Sequence, residues 1–174
     1  DCGFAFIFIV ASLPLWAFAA IGIMLSDPGP IFFRQRRSGK YGKEFNMWKF
    51  RTMAVDAEAK LAQVKEQMGN KMSGPVFKLD DDPRVFAFAK ILRKMSIDEL
   101  PQLLNVLSGD MSIVGPRPYM EDECPHLTAS VVRFENRHMI KPGITGLAQI
   151  NYNHLNSGRE ARKKVGYRLH LHQA

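Results

Sequence analysis

Cysteine and histidine are scarce in this chain, two and five in 174 residues, which leaves little for metal or redox chemistry to use. Cys2 lies in an apolar run and Cys124 in a loop segment, so no structural disulfide is expected. His126, His138, His154, His170 and His172 show no metal-ligand spacing. Internal repeats and low-complexity segments are lacking as well. Acidic residues are in deficit: 17 Asp and Glu against 24 Lys and Arg give a net charge of +7, which suits anionic lipid headgroups and anionic small molecules. Nucleic acid would suit that charge too, but no helix-turn-helix, zinc-knuckle or aromatic RNP-like pattern accompanies it, so no nucleic-acid partner is expected.

Charge itself is missing from Cys2 to Leu25, CGFAFIFIVASLPLWAFAAIGIML. As a helix this run is long enough to cross roughly 30 Å of hydrocarbon, and it is read as a membrane segment. No basic stretch precedes it, as a secretory signal would require. The chain opens on Asp1 without an initiator Met and is read as a fragment that begins late. Pro14, in the middle of the run, removes a helix hydrogen bond and crowds the preceding turn. The residues alone leave two courses open: a spanning helix with a tolerated proline, or a helix that bends at Pro14 and returns to the same face. Asp27-Pro28-Gly29-Pro30 then ends the helix and marks a domain boundary. Arg34, Arg36, Arg37, Lys40 and Lys43 follow, a basic flank that assigns this side to the cytoplasm.

Pro30 to Met53 predicts a β-hairpin, with Phe32 and Phe33 on one arm, Phe45, Met47, Trp48 and Phe50 on the other, and Gly39 and Gly42 in the turn. Lys49 and Arg51 alternate with Trp48 and Phe50 and are expected on one face of the second strand. Ala54 to Met72 predicts a surface or interfacial helix with Leu61, Val64 and Met68 as its apolar stripe. In KLDDDPR, Asp80, Asp81 and Asp82 offer oxygens to a hard cation. Asp82-Pro83 equally has the N-cap and first-turn spacing of a helix start. The helix so begun, Pro83 to Met95, directs Val85, Phe88, Ile91, Leu92 and Met95 inward and Lys90, Arg93 and Lys94 outward.

The densest chemistry lies in RKMSIDELPQLLNVLSGDMSIVGPRP, Arg93 to Pro118. Leu100, Leu103, Leu104 and Leu107 predict a helix stopped by Ser108-Gly109. Asp98 and Glu99 then fall near its N-terminus, with either a Ser96/Glu99 capping box or Asp98 itself as cap. The exposed N–H groups there favour an ionised carboxylate or a bound phosphate. On this evidence alone capping is the ordinary role for Asp98. Arg93 is placed to hold a phosphate through paired donors or to cap the preceding helix. Arg117, between Pro116 and Pro118, is a preorganised anion contact.

Taken together, the proline-interrupted apolar start, FFRQRRSGKYGKEFNMWKFRTM, DDPRV, SIDELPQLLNVLSGDMSIVGPRP and KPGITGLAQIN resemble the bacterial sugar transferase family, the monotopic polyprenyl-phosphate phosphoglycosyl transferases, from Asp1 to about Asn151. The resemblance implies an α+β, mostly helical fold, with a re-entrant membrane helix broken at Pro14 beside Ser12, amphipathic interfacial helices and a small β-hairpin around a compact catalytic domain. Residues 1–26 would be the membrane helix and 27–174 the catalytic domain. It implies transfer of a sugar-1-phosphate from a UDP-sugar to undecaprenyl phosphate at the cytoplasmic face of the bacterial inner membrane, with release of UMP. Asp98 would be the covalent nucleophile and Glu99 its acidic partner, the two associated with Mg2+. Arg93, Arg117, Lys49 and Arg51 would attend the substrate phosphates. The bilayer is then a partner, and a homo-oligomer is compatible with these motifs. Phe86 and Ala89 replace a common Thr and Gly, Leu13 replaces the usual Ser before the membrane proline, and Tyr152-Asn153-His154 replaces a Gly-Arg-Asn continuation. The chain also stops short of the family's C-terminal membrane-associated helices, so the alternative is an impaired member serving as a membrane-anchored scaffold. None of these motifs encodes the choice among glucose, galactose and N-acetylated sugars.

Overall fold

The computed structural model describes residues 1–57, 59, 82–121, 124–130, 134–146 and 149. Most of the helix expected over Ala54–Met72, together with Asp80, Asp81 and the chain after Gln149, lies outside the described residues. Among the described residues the secondary structure is mixed, with one long apolar helix, several short helices and two two-stranded sheets. The chain divides into two compact units, one formed by Ile7–Arg34 and Trp48–Pro101, the other by Asp1–Phe6, Gln35–Met47 and Gln102–Ala174.

Helix α1, Cys2–Ser26, is long and apolar enough to cross a membrane, with a mean hydropathy of 2.3. Most of its large side chains, Phe4, Ile7, Phe8 and Leu25 among them, are exposed. The helix runs through Pro14, so the expected break does not interrupt it. Polar groups next to the proline stay satisfied within the helix: Ser12 Oγ donates to Phe8 O at 2.6 Å and lies 3.2 Å from Ile9 O. Trp16 Nε1 donates to that same hydroxyl at 3.1 Å. The carbonyl that loses its i−4 donor at Pro14 is Val10 O, and these hydroxyl bonds go instead to Phe8 O and Ile9 O.

The predicted hairpin is present as β1, Phe32–Ser38, and β2, Glu44–Phe50, joined through a 3-10 turn at Lys40–Gly42. Tyr41 (φ 57°) and Gly42 (φ 72°) are both left-handed, a backbone path that glycine adopts without steric cost. In the first unit, Ala19 and Ile23 of α1 bury against Phe50, Leu92 and Ile97, with Trp16, Ile31, Phe86, Phe88 and Leu100 packed around them. The Phe50 ring stacks on Phe32 at 5.3 Å and meets Trp16 edge-on at 5.4 Å. Aromatic pairs at these distances each add about 1 kcal/mol beyond the area they bury. A side chain at Gly22 would overlap the Phe88 ring, so the glycine is what lets α1 accept its neighbour so closely.

That neighbour is α2, Ala87–Lys94, which starts later than the sequence suggests. Asp82 does not cap it. Its Oδ1 accepts from Arg84 N at 3.0 Å and Arg84 Nε at 2.8 Å, and its Oδ2 accepts from Arg84 Nη2 at 2.6 Å. Val85 N also donates to Asp82 O at 3.0 Å. The carboxylate is spent on a local turn, and the helix begins after an extended Phe86 with no side-chain cap. On α2, Ala89 and Leu92 are buried, whereas Ile91 (49%) and Met95 just beyond the helix (61%), both expected inward, are exposed.

In the second unit, α3 is confined to Gln102–Leu107. Its buried residues are Gln102, Leu103, Asn105 and Val106, while Leu107 is exposed, so the buried face is rotated from the predicted leucine stripe. Asn105 is buried because its Nδ2 donates to Asn46 O at 2.8 Å. Left-handed Gly109 (φ 85°) ends the helix as expected, and Asp110 N and Met111 N both reach Asn105 O at 3.0 Å. Strand β3, Ser112–Val114, follows, then α4, Cys124–Ser130, a 3-10 turn at Phe134–Met139, and β4, Gly143–Thr145. Segment KPGITG, a loop by sequence, supplies β4, which pairs parallel to β3 in the register Ser112 with Gly143 and Val114 with Thr145.

Candidate active site

Asp98 and Glu99 do not lie in the first turn of an α-helix. They form a 3-10 turn, Ile97–Glu99, directly after α2. Ser96 makes the bend between the two in a left-handed conformation (φ 56°, ψ 20°), uncommon for a residue with a side chain. Its hydroxyl caps nothing, so the Ser96/Glu99 capping box is not formed. Ile97 anchors the turn from below as part of the first unit's core. In a 3-10 turn successive side chains are about 120° apart, so the two carboxylates are directed apart.

Each acid has its own surroundings. Glu99 Oε1 lies 3.3 Å from Lys49 Nζ of β2, with both side chains largely buried (22% and 16% exposed). Among the described residues no side chain donates a hydrogen bond to Asp98. Burial pushes the Asp98 carboxyl above its ordinary range and the negative Glu99 adds to this, while Lys49 and Arg93 pull the other way. Its own backbone N–H also favours the ionised form.

Arg93 reaches this site from the last turn of α2. Its Nε donates to Thr52 Oγ1 at 2.9 Å, and crowding by protein draws the guanidinium below its usual pKa, against the attraction of Asp98 and Asp82. Arg51 is placed otherwise. Its side chain is 6% exposed and committed to the end of α1: Nη1 pairs with the Asp27 carboxylate, Nη2 donates to Asp27 O, and Nε donates to Pro30 O at 2.6 Å. Arg84 is likewise paired, holding the Asp82 carboxyl below the carboxylate range while its own pKa is raised by that partner. So the structure gathers Asp98, Glu99, Lys49 and Arg93, and turns Arg51 to a structural bond.

Arg117 belongs to the other unit, exposed on the loop after β3. The stiffness predicted for that loop has a source besides its prolines. Arg137 Nη2 donates to Arg117 O, Arg37 Nη1 to Pro118 O at 3.3 Å, and Ser38 N to Tyr119 O at 3.2 Å. The Arg137 guanidinium also lies over the Tyr119 ring at 4.2 Å and the Phe134 ring at 4.8 Å. Sequence reasoning missed Thr52, Asp27 and Arg137. None of these left a signal: strand alternation puts Thr52 on the face of Phe50, opposite Lys49 and Arg51, and it is indeed buried.

Among the described residues, no three His, Cys, Asp or Glu side chains gather into a metal-binding group. Mg2+ keeps much of its water and is commonly held by one or two carboxylates plus substrate phosphates. Asp98 and Glu99 are directed apart and Glu99 is paired with Lys49, so the residues present fit a magnesium ion only as one held by a single carboxylate together with the phosphates of a substrate.

The sequence pattern of bacterial sugar transferases matches residues 1–172. The UDP-glucose:undecaprenyl-phosphate glucose-1-phosphate transferase of Xanthomonas campestris pv. campestris is 42% identical over 148 residues, 82% of this chain and 28% of the relative. Galactosyl transferase CpsE of Streptococcus agalactiae serotype III is 45% identical over 152 residues, 86% of this chain and 30% of the relative. The UDP-N-acetylgalactosamine-undecaprenyl-phosphate N-acetylgalactosaminephosphotransferase of Aeromonas hydrophila is 37% identical over 152 residues, 87% of this chain and 33% of the relative. The chain thus spans about a third or less of the length of these relatives. Matched along nearly all of its own length, it belongs to the bacterial sugar transferase family.

Proposed function

We propose that this chain is the catalytic part of a phosphoglycosyl transferase that moves a sugar-1-phosphate from a UDP-sugar to undecaprenyl phosphate and releases UMP. The observation that carries this reading is the contrast between two adjacent carboxylates: Glu99 is neutralised by Lys49, while Asp98 stands between cations with no side-chain hydrogen bond among the described residues. A carboxylate so placed is a nucleophile with its lone pairs available. An Asp98 oxygen attacks the sugar-bearing phosphorus of the UDP-sugar. The bond from that phosphorus to the bridging oxygen breaks, and UMP leaves with the electron pair. An oxygen of undecaprenyl phosphate then attacks the same phosphorus, and Asp98 regains its carboxylate. Lys49 and Arg93 bind and orient the phosphates during both displacements; a phosphate-binding task for Arg117 rests on the family resemblance alone. A bound Mg2+, held by a single carboxylate, Glu99 or Asp98, together with the substrate phosphates, would neutralise diphosphate charge.

The acceptor is confined to a bilayer, and α1 is the element that meets it. From Trp16 onward α1 packs on Phe32, Phe50 and Leu92. The family resemblance is what supports a helix that enters the membrane and returns, with the site at the cytoplasmic face. The relatives named for glucose, galactose and N-acetylgalactosamine make these the donors to try first.

The test is incubation with each UDP-sugar and Mg2+, first without acceptor. We expect one equivalent of UMP and a phosphosugar mass adduct on Asp98, discharged by undecaprenyl phosphate. Absence of UMP and adduct with every donor, or full activity in Asp98→Asn, would overturn the proposal.

A further inference from the structure

We infer that Thr52 is a positioning residue that presents Arg93 to the diphosphate of the substrate; this rests on the phosphoglycosyl transferase reading of the site. Arg51, Arg84 and Arg93 lie on or near the elements that build it, and they are held in two different ways. Arg51 is paired with Asp27 and Arg84 with Asp82, so in each the positive charge is neutralised at contact distance. Arg93 forms no ion pair within 4 Å among the described residues. What holds it is the neutral hydroxyl of Thr52, which accepts its Nε–H at 2.9 Å.

The choice of a neutral acceptor has a chemical consequence. A guanidinium carries five N–H donors in a rigid fork. Engaging Nε fixes the plane of that fork while the Nη donors keep their capacity for two phosphate oxygens. A carboxylate at position 52 would orient Arg93 as well, but it would cancel the charge an anionic substrate needs and would repel that substrate. Thr52 is itself buried and lies on the exit from β2, three residues after Lys49, which holds Glu99. Residues 49 to 52 therefore set Glu99, the core through Phe50, the end of α1 through Arg51, and Arg93, in that order.

Four proteins test this: Thr52→Val, which keeps the shape and loses the acceptor, Thr52→Ser, which keeps the acceptor, Arg93→Ala, and Thr52→Val with Arg93→Ala. Each is measured for kcat/KM of UMP release, Kd for UDP with Mg2+, and Tm. Losing one hydrogen bond to a charged group corresponds to a change of about tenfold or more, so Thr52→Val should weaken UDP binding and kcat/KM by about that factor. Thr52→Ser should stay within about threefold, and Thr52→Val should cost nothing further once Arg93 is alanine. The inference is overturned if Thr52→Val costs as much in the Arg93→Ala background as in the wild type. It is equally overturned if Thr52→Val lowers Tm while UDP affinity stays unchanged. A wild type that binds UDP but releases no UMP from any donor would defeat the transferase reading, and the UDP measurements would still decide the role of Thr52. A wild type that binds no UDP would defeat both.

Discussion

Lys49 Nζ lies 3.3 Å from Glu99 Oε1, and this contact gives two neighbouring acids different surroundings. Lys49 makes a short contact with Glu99, and its charge favours the ionised form of Asp98. Asp98 is left in a buried setting whose net effect opposes ionisation, beside a turn that begins with a left-handed Ser96. A group kept for bonding to its neighbours would be arranged otherwise, as Asp82 is with Arg84.

The raised pKa of Asp98 fixes the direction of its pH dependence. A carboxyl that binds its proton more tightly in the folded state contributes stability below its unfolded pKa, about 3.9, and loses that contribution as pH rises through the folded value. Asp98→Asn should therefore have a higher Tm than wild type at pH 7 to 8, and the difference should vanish toward pH 4. On the proposed mechanism Asp98 attacks as its carboxylate, so UMP release should fall on the acid side at a pH above the usual carboxylate range. Glu99 is one cause of the upward shift, so Glu99→Gln should move that acid limb to lower pH in whatever activity remains. Thermal melts and pH profiles of the first half-reaction check both directions.

Arg51 distinguishes a structural cation from a substrate-binding one. Removing one partner of a buried ion pair costs about 3 to 5 kcal/mol, and the partial exposure of Asp27 reduces this by screening. We expect Arg51→Met to lose about 2 to 4 kcal/mol in denaturant unfolding, with UDP affinity unchanged in the protein that remains folded. Arg51→Lys should recover only part of the loss, because an ammonium cannot serve the Asp27 carboxylate, Asp27 O and Pro30 O together. A large loss of UDP affinity with normal stability would return Arg51 to the phosphates.

How much of this was legible in the sequence depended on how local the cause was. The hairpin, the long apolar helix and the stop at Gly109 follow from neighbours in the chain, and each is present. Asp98, Glu99, Lys49 and Arg93 were singled out by their motifs, and the first unit brings them together. The capping roles given to Asp82 and Ser96 were not realised, because Asp82 found a stronger partner in Arg84 and Ser96 was turned left-handed to aim the next two residues. Arg51 with Asp27, and Arg137 with the carbonyl of Arg117, are separated by 24 and 20 positions. No periodicity reports such bonds. The strand at Gly143–Thr145 was invisible for a related reason: a three-residue parallel strand is defined by its partner, β3, and by little in its own composition.

That strand pair gives the last prediction, and two glycines separate its two physical causes. A Cβ on Gly143 would fall onto the backbone N and Cα of Gly115, and one on Gly115 would crowd Lys141 O and Gly143 N. Neither obstacle is a flexible side chain that could swing away, so relief requires moving β3 from β4, with Gly115 N–Thr145 O at 2.9 Å and Gly143 N–Pro116 O at 3.0 Å at stake. Gly143→Ala should lose about 3 kcal/mol or more, the upper range for overpacking, and should loosen the loop that carries Arg117. Gly42 is the control, since a Cβ there meets nothing within 4 Å and only its φ of 72° resists substitution. Gly42→Ala should cost about 1 kcal/mol, the left-handed penalty alone. Equal losses at the two positions in urea unfolding would show that close backbone contact between β3 and β4 does not hold this unit together.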